Sequence, residues 1–284
     1  MKNVIDQITE LIQKRVSVRT YNNEPIKNSD IQKLNEFIER NNGLFEPKVR
    51  FKIFNSKEEI NGAKLGTYGF IKGTKSFIGV AVEEGDMDLE ELGYEMESLV
   101  LYATSIGLGT CWIAGSLNRS EFTKAMNVKE NEIFPIISPI GYESDNKRII
   151  EKLFKLQSKA RVRKEWKEIF FRENFKSPIL DKKDVGEFEE VLENLRLAPS
   201  AVNRQPWRVL KSGDSFHFYK DEGKNNSRLK GIDIQRVDIG IALCHFDLSC
   251  KKIGLSGEFI KNEPVILHKE DRFKYIISWR GKII

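Results

Sequence analysis

Cysteine and histidine are nearly missing from this chain: its 284 residues hold three of each. Cys111, Cys244 and Cys250 are too few and too irregularly spaced for a disulfide framework or a structural zinc site, which points to a reducing cytoplasm. His217 and His268 have no partner at ligand spacing. His245 lies among apolar residues of a helical stretch, the setting of a satisfied core histidine. No Ser-His-Asp set, carboxylate pair or metal motif can be assembled from the remainder. No apolar run approaches the ~18 residues that cross a bilayer, so no membrane partner is expected. The opening "MKNVIDQITELIQKR" gathers Val4, Ile5, Ile8, Leu11 and Ile12 on one helical face. Acidic residues interrupt it and no cleavage site follows, so it is not a signal peptide. A net charge of +5 is small for this length, and no basic stretch is interleaved with a reading motif, so nucleic acid is not expected either.

Glycine loops for nucleotides are missing as well. "GLGTCWIAG" (107–115) follows a helix instead of a strand, and Trp112 stands where the third glycine belongs. "GFIKGTKS" (69–76) is one residue short of a phosphate loop, with Thr74 before Lys75 and the strand after it. Nothing near Cys111 would activate it as a nucleophile, and it reads as a small buried hydrophobe.

What is present is an ordinary globular composition, 40% apolar and 31% charged, with length for one large domain or two modest ones. Helical periodicity covers 2–14, 29–41, 88–106, 118–126, 182–197 and 233–252. Strand patterns cover 49–54, 76–83, 133–142, 207–212, 215–220 and 272–279. Their intermixing suggests an α+β or α/β sheet with covering helices. One stretch echoes another: "ELGYEMESLVLYATSIGLGTCWI" (91–113) aligns without gaps on "DIGIALCHFDLSCKKIGLSGEFI" (238–260). Glu91 falls on Asp238, Gly93 on Gly240, and Ile106-Gly107-Leu108 on Ile253-Gly254-Leu255, with both later glycines as helix C-caps. Two copies do not make a solenoid; they suggest a dimer fused into one chain.

Three stretches offer chemistry. In "KRVSVRTYNNEPI", Arg15, Ser17 and Arg19 alternate just after the first helix. If extended, they point one way and form an anion-binding trio; otherwise they are a basic surface turn. "LAPSAVNRQPWRVL" (197–210) reads either as a helix stop before a strand or as a loop offering Ser200 and Asn203 to a ligand. The basic run 147–167 is either an anion site or the solvated face of a helix whose other side carries Ile149, Ile150, Leu153, Phe154 and Leu156. Arginines, small residues and exposed backbone, with no acid, base or nucleophile, suit a cofactor that brings its own reactivity.

Taken in order, "RVSVR" with "EPI", the helix followed by "GLGTCWI"-Ala-Gly, "PIGY" (139–142), "RVRKEWKEIFF" (161–171) and above all "APSAVNRQPW" resemble the FMN-dependent nitroreductase superfamily over most of the chain. The resemblance implies an α+β three-layer sandwich, normally a homodimer with two FMN at the subunit interface. In that family the arginine segment and the Pro-Ser-x-x-Asn loop lie close in sequence. Here the place of the loop reads "NNGLFEPKVRF", the loop itself comes far downstream, and the second half lacks an Arg-x-Ser-x-Arg segment. The pattern resembles the tandem TM nitroreductase branch, with halves at 1–179 and 180–284 forming a pseudo-dimer that keeps one flavin site and acts as a monomer.

The resemblance further implies that Arg15, Ser17 and Arg19 contact the flavin ring edge, ribityl chain and phosphate. Pro199, Ser200 and Asn203 would approach the ring from the other half, and Ala114 and Gly115 would present backbone N–H groups near N5 and O4. Arg161 and Arg163 would neutralise the phosphate. Most members carry a polar residue where Ala114 stands. The implied activity is an NAD(P)H-dependent flavin oxidoreductase that reduces a nitroaromatic or quinone-type small molecule by a ping-pong cycle. A flavin store, sensor or partner module without turnover is the alternative, and a basic binding protein without cofactor is a third.

Overall fold

A computed structural model of the chain describes residues 2–55, 67, 69–145, 162–223, 228–229, 231–266 and 269–281. Its helices are α1 (Lys2–Asp6), α2 (Ile8–Lys14), α3 (Asn28–Arg40), α4 (Asp88–Ser105), α5 (Arg119–Met126), α6 (Trp166–Ile169), α7 (Glu189–Arg196) and α8 (Ile234–Lys252). Two sheets carry most of the strands. The first joins β1 (Val49–Asn55), β2 (Ser76–Glu83), β3 (Gly109–Thr110) and β4 (Glu132–Gly141) in the order β1-β2-β4-β3. The second joins β5 (Phe170–Arg172), β6 (Asn174–Pro178), β7 (Trp207–Ser212), β8 (Ser215–Asp221), β11 (Gly257–Ile260) and β12 (Phe273–Gly281) in the order β11-β12-β8-β7-β5-β6. A short pair, β9 (Arg228–Leu229) and β10 (Ile232–Asp233), leads into α8.

The strands show why the sheets face two ways. Along β2, Ile78, Val80 and Val82 join the main core, while Phe77 and Ala81 point into a separate cluster with Phe122 and Met126 of α5. That is period-two alternation with both faces covered, so "SFIGVAVE" is apolar throughout. In the second sheet Trp207, Val209, Phe216 and Phe218 enter the main core, and Leu210 and Tyr219 lie on the outer face.

Between the sheets run α4 and α8, buried on almost every side. They cross at their matched glycines. A Cβ on Gly93 would lie 2.3 Å from the Val237 carbonyl oxygen, and one on Gly240 would lie 2.0 Å from that of Glu90. Both helices end alike. Gly107 and Gly254 take φ of 82° and 76°, and the following Leu108 and Leu255 donate to the carbonyls of Ala103 and Cys250, each at 2.9 Å. Buried charges on α4 are met: Arg236 grips Asp88 at 2.8 Å and Glu90 at 2.6 Å, and Glu91 accepts the Leu44 and Phe45 N–H groups at 2.9 and 2.8 Å.

Some expectations are corrected. The helical pattern 182–197 is broken: Lys182–Phe188 is a 3₁₀ turn and the α-helix proper is Glu189–Arg196. Gly186, at φ 58° and ψ −129°, cannot continue a right-handed helix. The pattern 2–14 is likewise two helices, broken at Gln7. The basic run 147–167 lies outside the described residues up to position 161. Its last residues, with β5 and β6, carry the chain across to the second sheet, where β5 pairs parallel with β7. No helix among the described residues is long and apolar enough to cross a membrane.

Candidate functional site

One wall of a cleft is the segment after α2. Residues 17–21 run extended beside β3: the Val18 N–H donates to the Thr110 carbonyl at 2.8 Å, and Tyr21 N–H to that of Lys72 at 2.9 Å. Extended backbone sends alternate side chains to opposite sides. Val18 turns inward, so close over Gly109 that a Cβ there would lie 2.7 Å from its Cγ2. Arg15, Ser17 and Arg19 face a cleft of about 340 Å³, a size common among small-molecule sites. The Arg19 guanidinium lies 5.0 Å from the centre of the Phe70 ring, which lines the same space.

The facing wall is the loop after α7. Val202, Asn203 and Gln205 take φ of 46°, 57° and 50°, a left-handed region that a β-branched residue such as Val202 seldom adopts. Polar ties hold this backbone. Ser200 Oγ accepts the Gln205 N–H at 2.9 Å, and Asp238 Oδ1 accepts that of Ala201 at 2.9 Å. Gln205 Oε1 accepts the Lys164 N–H at 2.9 Å, and Arg163 Nη1 donates to Asn203 Oδ1 at 3.0 Å. Strained backbone fixed by its surroundings is characteristic of ligand sites.

The third side is the turn after Trp112. Arg119 fixes it by donating to the carbonyls of Ala114 at 2.8 Å, Phe134 at 2.5 Å and Pro135 at 3.1 Å. The N–H groups of Ala114 and Gly115 donate no hydrogen bond among the described residues, and a Cβ on Gly115 would meet nothing within 4 Å. Ile234, Val237 and Ile241 of α8, with Ile113 and Ile136, supply an apolar lining.

Charge is concentrated at the rim. Arg163 is pushed down to about 10, first by burial and then by the neighbouring charges of Arg15 and Arg196. Asp238 also lines the cleft; burial holds its carboxyl well above the usual range, and its Oδ2 has no hydrogen-bond partner among the described residues.

The family model described as Putative TM nitroreductase matches residues 7–250. The chain belongs to this family. A crystal structure from Thermotoga maritima, described as a putative nitroreductase, is 24% identical with a TM-score of 0.56, covering 96% of this chain and 92% of that one. At that identity the likeness is one of fold, and the fold is the nitroreductase one. Two shorter nitroreductase family proteins also align. The one from Clostridium novyi is 22% identical at a TM-score of 0.40, covering 48% of this chain and 84% of its own. The one from Clostridium difficile is 20% identical at 0.41, covering 52% and 91%. No curated protein matches the sequence.

In this nitroreductase-family chain, Arg15, Ser17, Arg19, Ala114, Gly115, Arg163, Pro199, Ser200 and Asn203 all line the one cleft, although they come from separate stretches of the sequence. Arg161 lies outside the described residues. Asn203 is more engaged than the sequence suggests: besides Arg163, its Nδ2 donates to the Val162 carbonyl at 2.8 Å. Sequence reasoning missed Phe70, Asp238 and the lining face of α8. For Asp238 the signal was its match to Glu91, since both carboxyl groups accept backbone N–H groups from the chain ahead of a strand, β7 for Asp238 and β1 for Glu91.

Proposed function

We propose that the cleft holds one FMN and that the protein is an NAD(P)H-dependent oxidoreductase of the cytoplasm. One observation carries this reading: Arg15 and Arg163 line the same largely apolar cleft, where the charge of Arg15 disfavours that of Arg163. Such a pair is stabilised by an anion placed between them. The residues fit a planar ring bearing a phosphate. Arg15, Arg19 and Arg163 would hold the phosphate and the electron-rich ring edge, and Ser17 the ribityl chain. Ala114 and Gly115 would direct their free N–H groups at the N5 and O4 edge, while Pro199, Ser200 and Asn203 close the opposite wall. A bound flavin would supply the hydride chemistry, from a nicotinamide to a nitroaromatic or quinone-type acceptor in ping-pong turnover. Backbone donors and guanidinium charge would stabilise negative charge on the reduced ring. No side-chain acid or base is needed.

Residues 1–179 and 180–284 would then be halves of a fused pseudo-dimer, active as a monomer. The reciprocal glycine crossing, the matched caps and the paired duties of Glu91 and Asp238 support that. At the place related to the cleft, Phe45 packs edge-on against Phe259 with centroids 6.4 Å apart, and Lys261 reaches the Ile276 carbonyl at 3.0 Å.

Purified protein loaded with FMN should carry one flavin per chain and lose its yellow colour under anaerobic NADH or NADPH. Two flavins would sink the fusion reading. Uptake without bleaching would make the protein a store, sensor or partner module, and a failure to take up FMN would refute the cofactor.

A further inference from the structure

Beneath the cleft lies a pair of side chains that does not line it. His245 of α8 and Glu97 of α4 are both fully buried. His245 Nδ1 is 2.9 Å from the Asn194 carbonyl oxygen, which can only accept, so Nδ1 carries a hydrogen. Its Nε2 is 3.1 Å from Glu97 Oε1. A neutral ring with its hydrogen on Nδ1 would set a nitrogen lone pair against a carboxylate. The contact therefore needs a second hydrogen, present as imidazolium against carboxylate or as imidazole against carboxylic acid. In either form the pair is neutral.

The pair touches the cleft through two other residues. Glu97 Oε2 accepts the Trp112 Nε1–H at 2.9 Å, and Arg15 Nε lies 3.7 Å from Oε1. Trp112 and Arg15 both line the cleft. Another titratable neighbour is the Cys244 thiol, held far above its ordinary range by burial first and by Glu97 next.

We propose that Glu97 and His245 share one buried proton and act as a positioning pair. They fix Trp112 while cancelling the Glu97 charge beside Arg15, so that the positive charge of Arg15 is left for an anion in the cleft. This rests on the reading of the cleft as an FMN site. Were Glu97 a bare carboxylate, Arg15 would be its counter-ion and the cleft would lose one unit of charge.

The substitutions separate the two cases. In Glu97→Gln the amide accepts from Trp112 and donates to a neutral His245, so net charge is preserved and the flavin midpoint potential should stay at the wild-type value. If Glu97 were a bare carboxylate beside a neutral ring, the same change would add a positive charge. It would favour the reduced flavin about tenfold, a rise of about 30 mV for a two-electron couple. His245→Phe should lower the midpoint by a similar amount where the shared hydrogen sits on the ring, and leave it unmoved where it sits on Glu97. The double variant Glu97→Gln with His245→Phe should stand at the wild-type value, which a purely structural role would not do.

Redox titration of the FMN-loaded proteins reads these shifts, and ¹⁵N spectra of histidine in flavin-free wild type read the proton. Both ring nitrogens of His245 should show the shifts of hydrogen-bonded nitrogens. A raised potential in Glu97→Gln, a double variant away from the wild-type value, or a ring nitrogen of His245 without a hydrogen bond would each overturn the proposal. Should His245→Phe not fold, Glu97→Gln alone decides. Should wild type take up no FMN, the function reading fails and the histidine spectra still judge the pair.

Discussion

Replacing Gly240 with alanine should push the two central helices apart. The added Cβ would sit 2.0 Å from the Glu90 carbonyl oxygen, 2.8 Å from its carbon and 2.9 Å from the Tyr94 nitrogen. All three are backbone atoms of α4 and cannot rotate away. Ordinary contact begins at 3.4 Å, so the nearest approach falls short by 3.4 − 2.0 = 1.4 Å, and α4 must move by about that much. Overpacking typically costs about 1–3 kcal/mol. A shift here also loosens the side chains that interlock along both helices, so the upper end, about 3 kcal/mol, is expected. Urea unfolding should show a lower midpoint at unchanged slope. Gly115→Ala is the control for stability, because its Cβ would meet nothing within 4 Å. FMN affinity should fall with Gly240→Ala as well, since Asp238 and Ile241 on either side line the cleft. A Gly240→Ala protein as stable as wild type would show that the crossing is not rigid and would refute this account of why both helices carry glycine there.

Arg163→Ala should weaken FMN binding by about one to two decades, the worth of a charge-assisted contact at about 1.5–3 kcal/mol; fluorescence titration giving wild-type affinity would remove Arg163 from the site. Asn203→Ala should lose about 1 kcal/mol of flavin-free stability together with FMN affinity, because its amide ties the loop to Arg163 and Val162. Unchanged melting and unchanged titration would leave the amide without a role. The Glu95 carboxyl is pushed up to about 9 from 4.5, by burial first and then by Glu91. The folded chain thus keeps a proton the unfolded chain has lost, and this contribution to stability is complete below about pH 4.5 and declines as pH rises toward 9. Lys164, lowered to about 8 by burial, works in the opposite sense at higher pH, so the comparison that isolates Glu95 is wild type against Glu95→Gln. Urea midpoints at two pH values in that window should fall less in the variant; parallel falls would refute the assignment.

Periodic features were readable in the sequence, and features made by distant contacts were not. The central helices announced themselves twice through the same Gly-x-x spacing and Gly-Leu ends, and the arginine segment through alternation. β5 and β6 were invisible because strands of three and five residues carry little alternation. The break at Gly186 was hidden under an otherwise good amphipathic pattern. Val202 at positive φ contradicts its own local preference, and only the ties from Asp238, Ser200 and Gln205 make it tolerable. Glu97 and His245 looked like unrelated helix residues; the proton between them exists only because α4 and α8 cross.

The two arginine-bearing and proline-bearing walls of the cleft belong to one polypeptide. Where such walls sit on separate subunits, the site forms only when the subunits meet, and it empties on dilution. In this chain the encounter is intramolecular, at an effective concentration set by the covalent path and not by the number of copies in solution. The entropy of closing that path grows only logarithmically with its length and is settled once, on folding. A ligand therefore meets a finished cleft at any protein concentration, and a scarce protein can bind it as tightly as an abundant one.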